Sequence, residues 1–148
     1  MKILVNASTL SGTGVVQVTT SFLNECKLIK GNEYHVAISK SVFKQINVLL
    51  FPDNFSFYLI KNHPRFLFKG FNSRKKLKTI ENTVNPDCVF SVFGPSWWTP
   101  QKPHLMGFAY PHYVYKDSPF FSRLSNKAYL KIDINTERWS LCVVSYHS

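Results

Sequence analysis

The pair Gly12 and Gly14, with Thr13 between them, closes a short segment that follows an apolar run, Lys2-Ile3-Leu4-Val5-Asn6. A helical pattern begins directly after it. A strand, a glycine-containing loop and a helix in that order present the first backbone N–H groups of the helix without internal partners. The helix dipole adds about half a positive charge at the same place, so a phosphate is stabilised there without a charged side chain. The spacing is neither Gly-x-Gly-x-x-Gly nor a Walker loop, and a plain turn satisfies it equally well. Two further segments carry site-like chemistry. Phe93-Gly94-Pro95-Ser96-Trp97-Trp98-Thr99-Pro100 sets two tryptophans side by side in a loop, where at least one is expected to line a cleft or cover a partner, the alternative being a packing lid over the sheet edge. Tyr110-Pro111-His112-Tyr113 follows the next strand-like run and holds the histidine best placed for proton transfer. His35 and His104 fall in or at strands and read as structural, while His63 and His147 give no signal.

What the sequence lacks narrows the chemistry. Eight acidic residues are spread over 148 positions, and no pair falls in these loops. A two-carboxylate glycosidase and a carboxylate-held metal are thereby disfavoured, and no metal site is expected. Nor is there a Gly-x-Ser-x-Gly nucleophile elbow. The three cysteines, Cys26, Cys88 and Cys142, lie far apart in apolar surroundings. They read as reduced, buried thiols of a cytoplasmic protein. The N-terminal apolar run is too short for a signal peptide, and no run reaches membrane-spanning length.

The elements that position these loops follow from periodicity. Residues 2–6 read as a buried parallel strand. Val15, Val18, Phe22, Cys26 and Ile29 recur at helical spacing and predict an amphipathic helix over 15–29, with Gly31 ending it. Strands are expected at 34–39, 55–60, 88–93, 105–109 and 141–146. Helices are expected at 42–50, from an N-cap at Ser73 to 84, and at 122–131, with an irregular connector at 62–72. Alternating strands and helices imply one α/β, Rossmann-like three-layer domain over 1–148, with a mostly parallel sheet and helices on both faces. The chain stops soon after its last strand, where such domains usually continue, so a missing partner domain is expected.

Formal net charge is +10. The one dense basic cluster is Arg74-Lys75-Lys76 with Lys78. It reads as a solvated helix face or as peripheral contact with an anionic membrane at the inner face. No nucleic-acid motif accompanies it, which ranks phosphate or membrane contact above nucleic acid.

The opening block with Gly12-x-Gly14 resembles the start of bacterial GT-B glycosyltransferases. Phe90-Ser91-Val92-Phe93-Gly94-Pro95-Ser96-Trp97-Trp98, Gly107-Phe108-Ala109-Tyr110-Pro111 and Asp117-Ser118-Pro119-Phe120-Phe121 resemble a subgroup found in surface-polysaccharide clusters. The resemblance spans about residues 1–130. It implies an N-terminal, acceptor-side domain whose full enzyme moves a sugar from a nucleotide-sugar to a lipid-linked or polysaccharide acceptor, without a cofactor. Gly12, Thr13 and Gly14 would then approach the donor diphosphate, Ser96, Trp97, Trp98, Tyr110 and Tyr113 would frame the acceptor, and His112 would be catalytic. The family's C-terminal donor domain, with its Glu-x7-Glu signature, has no counterpart here. The chain alone is therefore expected to be inactive or very weak. The competing expectation is a stand-alone module that binds a nucleotide or a partner; an NAD-type domain is disfavoured by the missing third glycine.

Overall fold

The computed structural model describes residues 1–107, and the expectations placed beyond them lie outside the described residues, among them Tyr110, His112, Tyr113, the helix at 122–131 and the strand at 141–146. Strand β1 (Lys2–Ala7) is followed by helix α1 (Thr13–Cys26), β2 (Glu33–Ser39), the single-turn helix α2 (Lys40–Phe43) and a 3-10 turn at Val48–Leu50. Then come β3 (Phe55–Ile60), α3 (Leu67–Val84), β4 (Cys88–Ser91) and β5 (His104–Met106). The five strands form one parallel sheet in the order β3-β2-β1-β4-β5. This is the expected α/β, Rossmann-like architecture.

Side chains alternate across the sheet, so β1 to β4 feed two cores, one on each face. Val5 and Ala7 of β1, Tyr34, Val36 and Ile38 of β2 and Phe55 of β3 pack with Val16, Leu23 and Cys26 of α1 and with Val42 of α2. On the opposite face Leu4, Ala37, Ile60 and Val89 pack with Leu77, Ile80 and Val84 of α3. Both faces are covered, which is why the strands read as near-continuous apolar runs.

Several boundaries differ from the expectation. In α1 the buried side chains are Val16, Thr19, Leu23 and Cys26, whereas Val18 and Ile29 are exposed. The face is displaced by one position because Thr19 is buried; its hydroxyl donates to the Val15 carbonyl at 2.9 Å and so needs no water. The expected helix at 42–50 is split into α2 and the 3-10 turn, with Ser39 and Asn47 accepting N–H groups at the two starts. Helix α3 begins at Leu67, and Ser73 is not its cap. Ser73 lies buried in the second turn and donates to the Asn62 carbonyl at 2.8 Å. The connector at 62–72 is thus half helical. Strand β4 is shorter than expected, ending at Ser91, and β5 opens one residue early at His104 and ends at Met106, positions 108–109 of the expected strand lying outside the described residues.

Two glycines are fixed by close approach. A Cβ on Gly107 would sit 2.1 Å from the Val92 carbonyl oxygen, and one on Gly70 would sit 2.5 Å from that of Pro64. By contrast, a Cβ on Gly12 or Gly14 would meet nothing within 4 Å. Gly107→Ala is expected to destabilise the chain by about 2 kcal/mol in urea unfolding, and Gly12→Ala by less than about 0.5 kcal/mol.

Candidate functional site

In the order β3-β2-β1-β4-β5 the direction of winding reverses between β1 and β4. The crevice outside the carboxyl ends of such a strand pair is where open α/β sheets receive ligands, because the two following loops diverge there. The two loops are residues 8–12, leading into α1, and residues 92–103, leading into β5. Gly12 ends the first, with Thr13 and Gly14 opening α1 directly after it, and Ser96, Trp97 and Trp98 lie on the second.

A polar chain ties Ser8 of the first loop to β1, β4 and β5. Asn6 is fully buried at the carboxyl end of β1, and its Nδ2 donates to Ser91 Oγ at 3.0 Å across the switch point. Its Oδ1 accepts from both the backbone N–H and the hydroxyl of Ser8, at 3.2 and 2.6 Å. Ser91 Oγ shares a further hydrogen bond of 2.9 Å with His104 Nε2. The next residues are held by two other neighbours. Ser39 Oγ donates to the Leu10 carbonyl at 2.5 Å, and His63 Nε2–H donates to the Thr9 carbonyl at 3.1 Å. The loop is therefore clamped as far as Leu10 and exposed from Ser11 to Gly14.

That exposed end is electropositive. Gly12 is the N-cap of α1 and no side chain caps it; the first turn holds no acidic residue. The first bond of the helix runs from Val16 N–H to the Gly12 carbonyl, at 3.0 Å. The N–H groups of Thr13, Gly14 and Val15 precede it and remain for an external acceptor. In the preceding loop, Thr9 Oγ1 is a buried hydroxyl without a hydrogen-bond partner among the described residues.

The second loop is anchored by a residue the sequence does not advertise. Glu81 of α3 is only 2% exposed. One of its carboxyl oxygens accepts from Trp98 Nε1 at 3.1 Å; the other accepts from the backbone N–H groups of Gln101 and Lys102, at 2.6 and 3.1 Å. Trp98 packs against the α3 core, and Ser96 Oγ donates to the Trp98 carbonyl at 2.6 Å. These two side chains shape the loop from within. Trp97 takes the other direction. Its φ is +65°, and its ring meets His63 edge-on at 6.4 Å between centroids. Trp97 thus sits beside the clamp on Thr9, and of the two tryptophans it is the one associated with the first loop.

His63, which carries no signal in the sequence, joins three segments. Besides its donation to Thr9, its Nδ1 accepts the Arg65 N–H at 3.0 Å. Both ring nitrogens are used by the neutral tautomer, and burial lowers its pKa. His104 is also pushed down by burial, against a smaller opposing pull from Glu81. His35 is occupied elsewhere, between Glu33 at 2.7 Å and Tyr58 at 3.0 Å. Cys26 and Cys88 are free thiols whose pKa values burial raises, which makes them poor nucleophiles. Among the described residues no group of His, Cys, Asp and Glu is arranged to hold a metal ion, and no helix is long and apolar enough to cross a membrane.

The basic cluster is divided by its contacts. The Arg74 guanidinium donates to the carbonyls of Pro64, Phe66 and Leu67, and Lys76 Nζ donates to the Leu59 carbonyl at 3.0 Å. Lys75 and Lys78 are exposed.

Comparison with protein-family models, with curated proteins and with solved structures finds no match.

Two outcomes follow from the anchors. Glu81→Ala removes the buried acceptor shared by the Trp98 indole and the Gln101 and Lys102 backbone N–H groups, and a loss of about 2 kcal/mol is expected, with a red shift of tryptophan emission as Trp98 is released. For His63 and His104 the folded pKa lies below the unfolded value of about 6.5, so the unfolded chain binds more protons just below that pH. Their contribution is complete above about pH 6.5 and is lost as the pH falls toward the folded values. Urea midpoints should therefore drop between pH 7.5 and pH 5, and His104→Gln should flatten that drop.

Proposed function

We propose that this chain supplies the phosphate-facing half of a nucleotide-sugar site, as the N-terminal domain of a GT-B-type glycosyltransferase. The observation that carries the reading is the uncapped start of α1 at the β1–β4 switch point, with Thr13, Gly14 and Val15 N–H groups directed to no internal acceptor. Gly12 and Gly14 support it. Neither has a positive φ, and a Cβ on either would meet nothing, so the fold itself does not require glycine there. An approaching ligand does, because a bare backbone lets phosphate oxygens reach the N–H groups.

In the proposed reaction the leaving diphosphate gains charge as the bond to the sugar breaks. Fixed N–H dipoles at the end of α1 stabilise that charge without reorganising. Trp97 offers a flat face for a sugar or lipid-linked acceptor beside them. Ser96 and Trp98 act as positioning residues, since their polar atoms are spent within the loop and on Glu81. The proposed roles of His112, Tyr110 and Tyr113 rest on the family resemblance. A donor domain facing this edge would complete the cleft, and the chain alone would turn over nucleotide-sugars very weakly or not at all.

Gly14→Asp separates a ligand site from a plain turn. An acidic side chain in the first turn favours the helix by about 0.3–1 kcal/mol but repels a phosphate. Thermal unfolding should shift upward while the calorimetric affinity for UDP or GDP falls by about tenfold or more. Absence of UDP and GDP binding by the unsubstituted chain, with protection by NAD alone, would overturn the reading.

A further inference from the structure

The start of α3 displays large apolar side chains to solvent. Phe66, Leu67, Phe68 and Phe71 are 59%, 81%, 91% and 60% exposed. Four such residues within six positions form a contiguous patch, which solvated surfaces avoid unless something covers it. Their exposure is built into the fold. A Cβ-free Gly70 lets the helix press against the Pro64 carbonyl, Ser73 donates to the Asn62 carbonyl, and Arg74 gathers the carbonyls of Pro64, Phe66 and Leu67. These ties fix the turn and direct the buried face of α3 (Gly70, Ser73, Leu77, Ile80, Glu81 and Val84) toward the sheet. The phenylalanines and Leu67 are left on the other side.

The charge around the patch has one sign. Residues 61–80 contain seven Lys and Arg and no acidic residue. Arg74 and Lys76 are spent on backbone carbonyls, but Lys61, Arg65, Lys69, Lys75 and Lys78 are exposed. At 100° per residue Leu67, Phe71, Lys75 and Lys78 fall along one outward strip, with Phe68 beside it. The N-terminus of α3 carries no side-chain cap and no acid in its first turn, which adds to the positive field.

We propose that this turn is a membrane-seating surface. Phe66, Leu67, Phe68 and Phe71 insert below the headgroups of an anionic bilayer, while Arg65, Lys69, Lys75 and Lys78 contact lipid phosphates. Apolar side chains ringed by cations match that interface, since each part is incomplete without the other. A second protein partner of the same shape would need matching acids around an apolar groove; a second copy of this chain, at +10, presents the same cations and repels. The inference stands independently of the proposed transferase function, because it uses no residue of the α1 site.

Co-sedimentation of the full chain with vesicles tests it, comparing 30% phosphatidylglycerol in phosphatidylcholine with pure phosphatidylcholine. Binding is expected only to the anionic vesicles, weakening as salt rises. Leu67→Ser with Phe68→Ser should lower partitioning at least about tenfold, as should Lys69→Glu with Lys75→Glu, at unchanged circular dichroism. Leu49→Ser with Leu50→Ser, at another exposed apolar site, should leave it unchanged. The proposal is overturned if the chain does not bind anionic vesicles. It is equally overturned if only the lysine changes matter, if the Leu49/Leu50 control is as damaging, or if Leu67 and Phe68 instead abolish a concentration-dependent dimer.

Discussion

The hydrogen bond from Asn6 Nδ2 to Ser91 Oγ holds the two halves of the sheet edge together. It crosses the point where strand order reverses, and two adjacent loops must diverge from there. An apolar pair at these positions would pack, but it would leave Ser8 without the acceptor that bends the chain out of β1. Asn6 does both tasks: its amide nitrogen reaches β4 and its amide oxygen turns the loop. Being buried, the pair is worth more as a complete network than as separate bonds, since any orphaned member carries a desolvation cost.

From that constraint the site follows in order. Residues 8–10 are fixed by Asn6, Ser39 and His63, drawn from β1, from the end of β2 and from the β3–α3 connection. Clamping ends at Leu10, so the start of α1 stands free with its dipole outward. On the other side Glu81 pins residues 98–102 to α3. The uncapped start of α1 and the loop that carries Trp97 thus both follow from the carboxyl ends of the β1–β4 pair. The same connection that carries His63 continues into the exposed apolar turn of α3, so one segment links the carboxyl edge of the sheet to the proposed membrane-facing surface.

Much of this was legible in the sequence, and the failures have physical causes. Strands β1, β2 and β3 stand out because a parallel sheet covered on both faces needs continuous apolar runs. The position of the Gly12-x-Gly14 loop at the sheet's carboxyl edge follows from that order alone. The buried face of α1 lies one residue from the apolar periodicity, since a threonine that satisfies its hydroxyl on the preceding turn counts as polar yet packs as core. Helix α3 starts early for the opposite reason: Phe66, Leu67 and Phe68 look like buried residues and are exposed, while a glycine inside the helix looks like a break and is a contact point. Glu81 and His63 were illegible. An acid on a helix ordinarily faces water, and nothing local to Glu81 indicates Trp98, 17 positions on. His63 acts on a carbonyl 54 positions away. Such roles depend on topology, which local pattern does not encode.

The central claim is that the free N–H groups at the start of α1 form a diphosphate site. Amide chemical-shift mapping of the full chain during titration with UDP tests it most directly. The account predicts the largest shifts at Thr13, Gly14 and Val15, accompanied by the Asn6 side-chain amide, and little change at the start of α3. Shifts confined to other segments, or none at a UDP concentration of several millimolar, would contradict it.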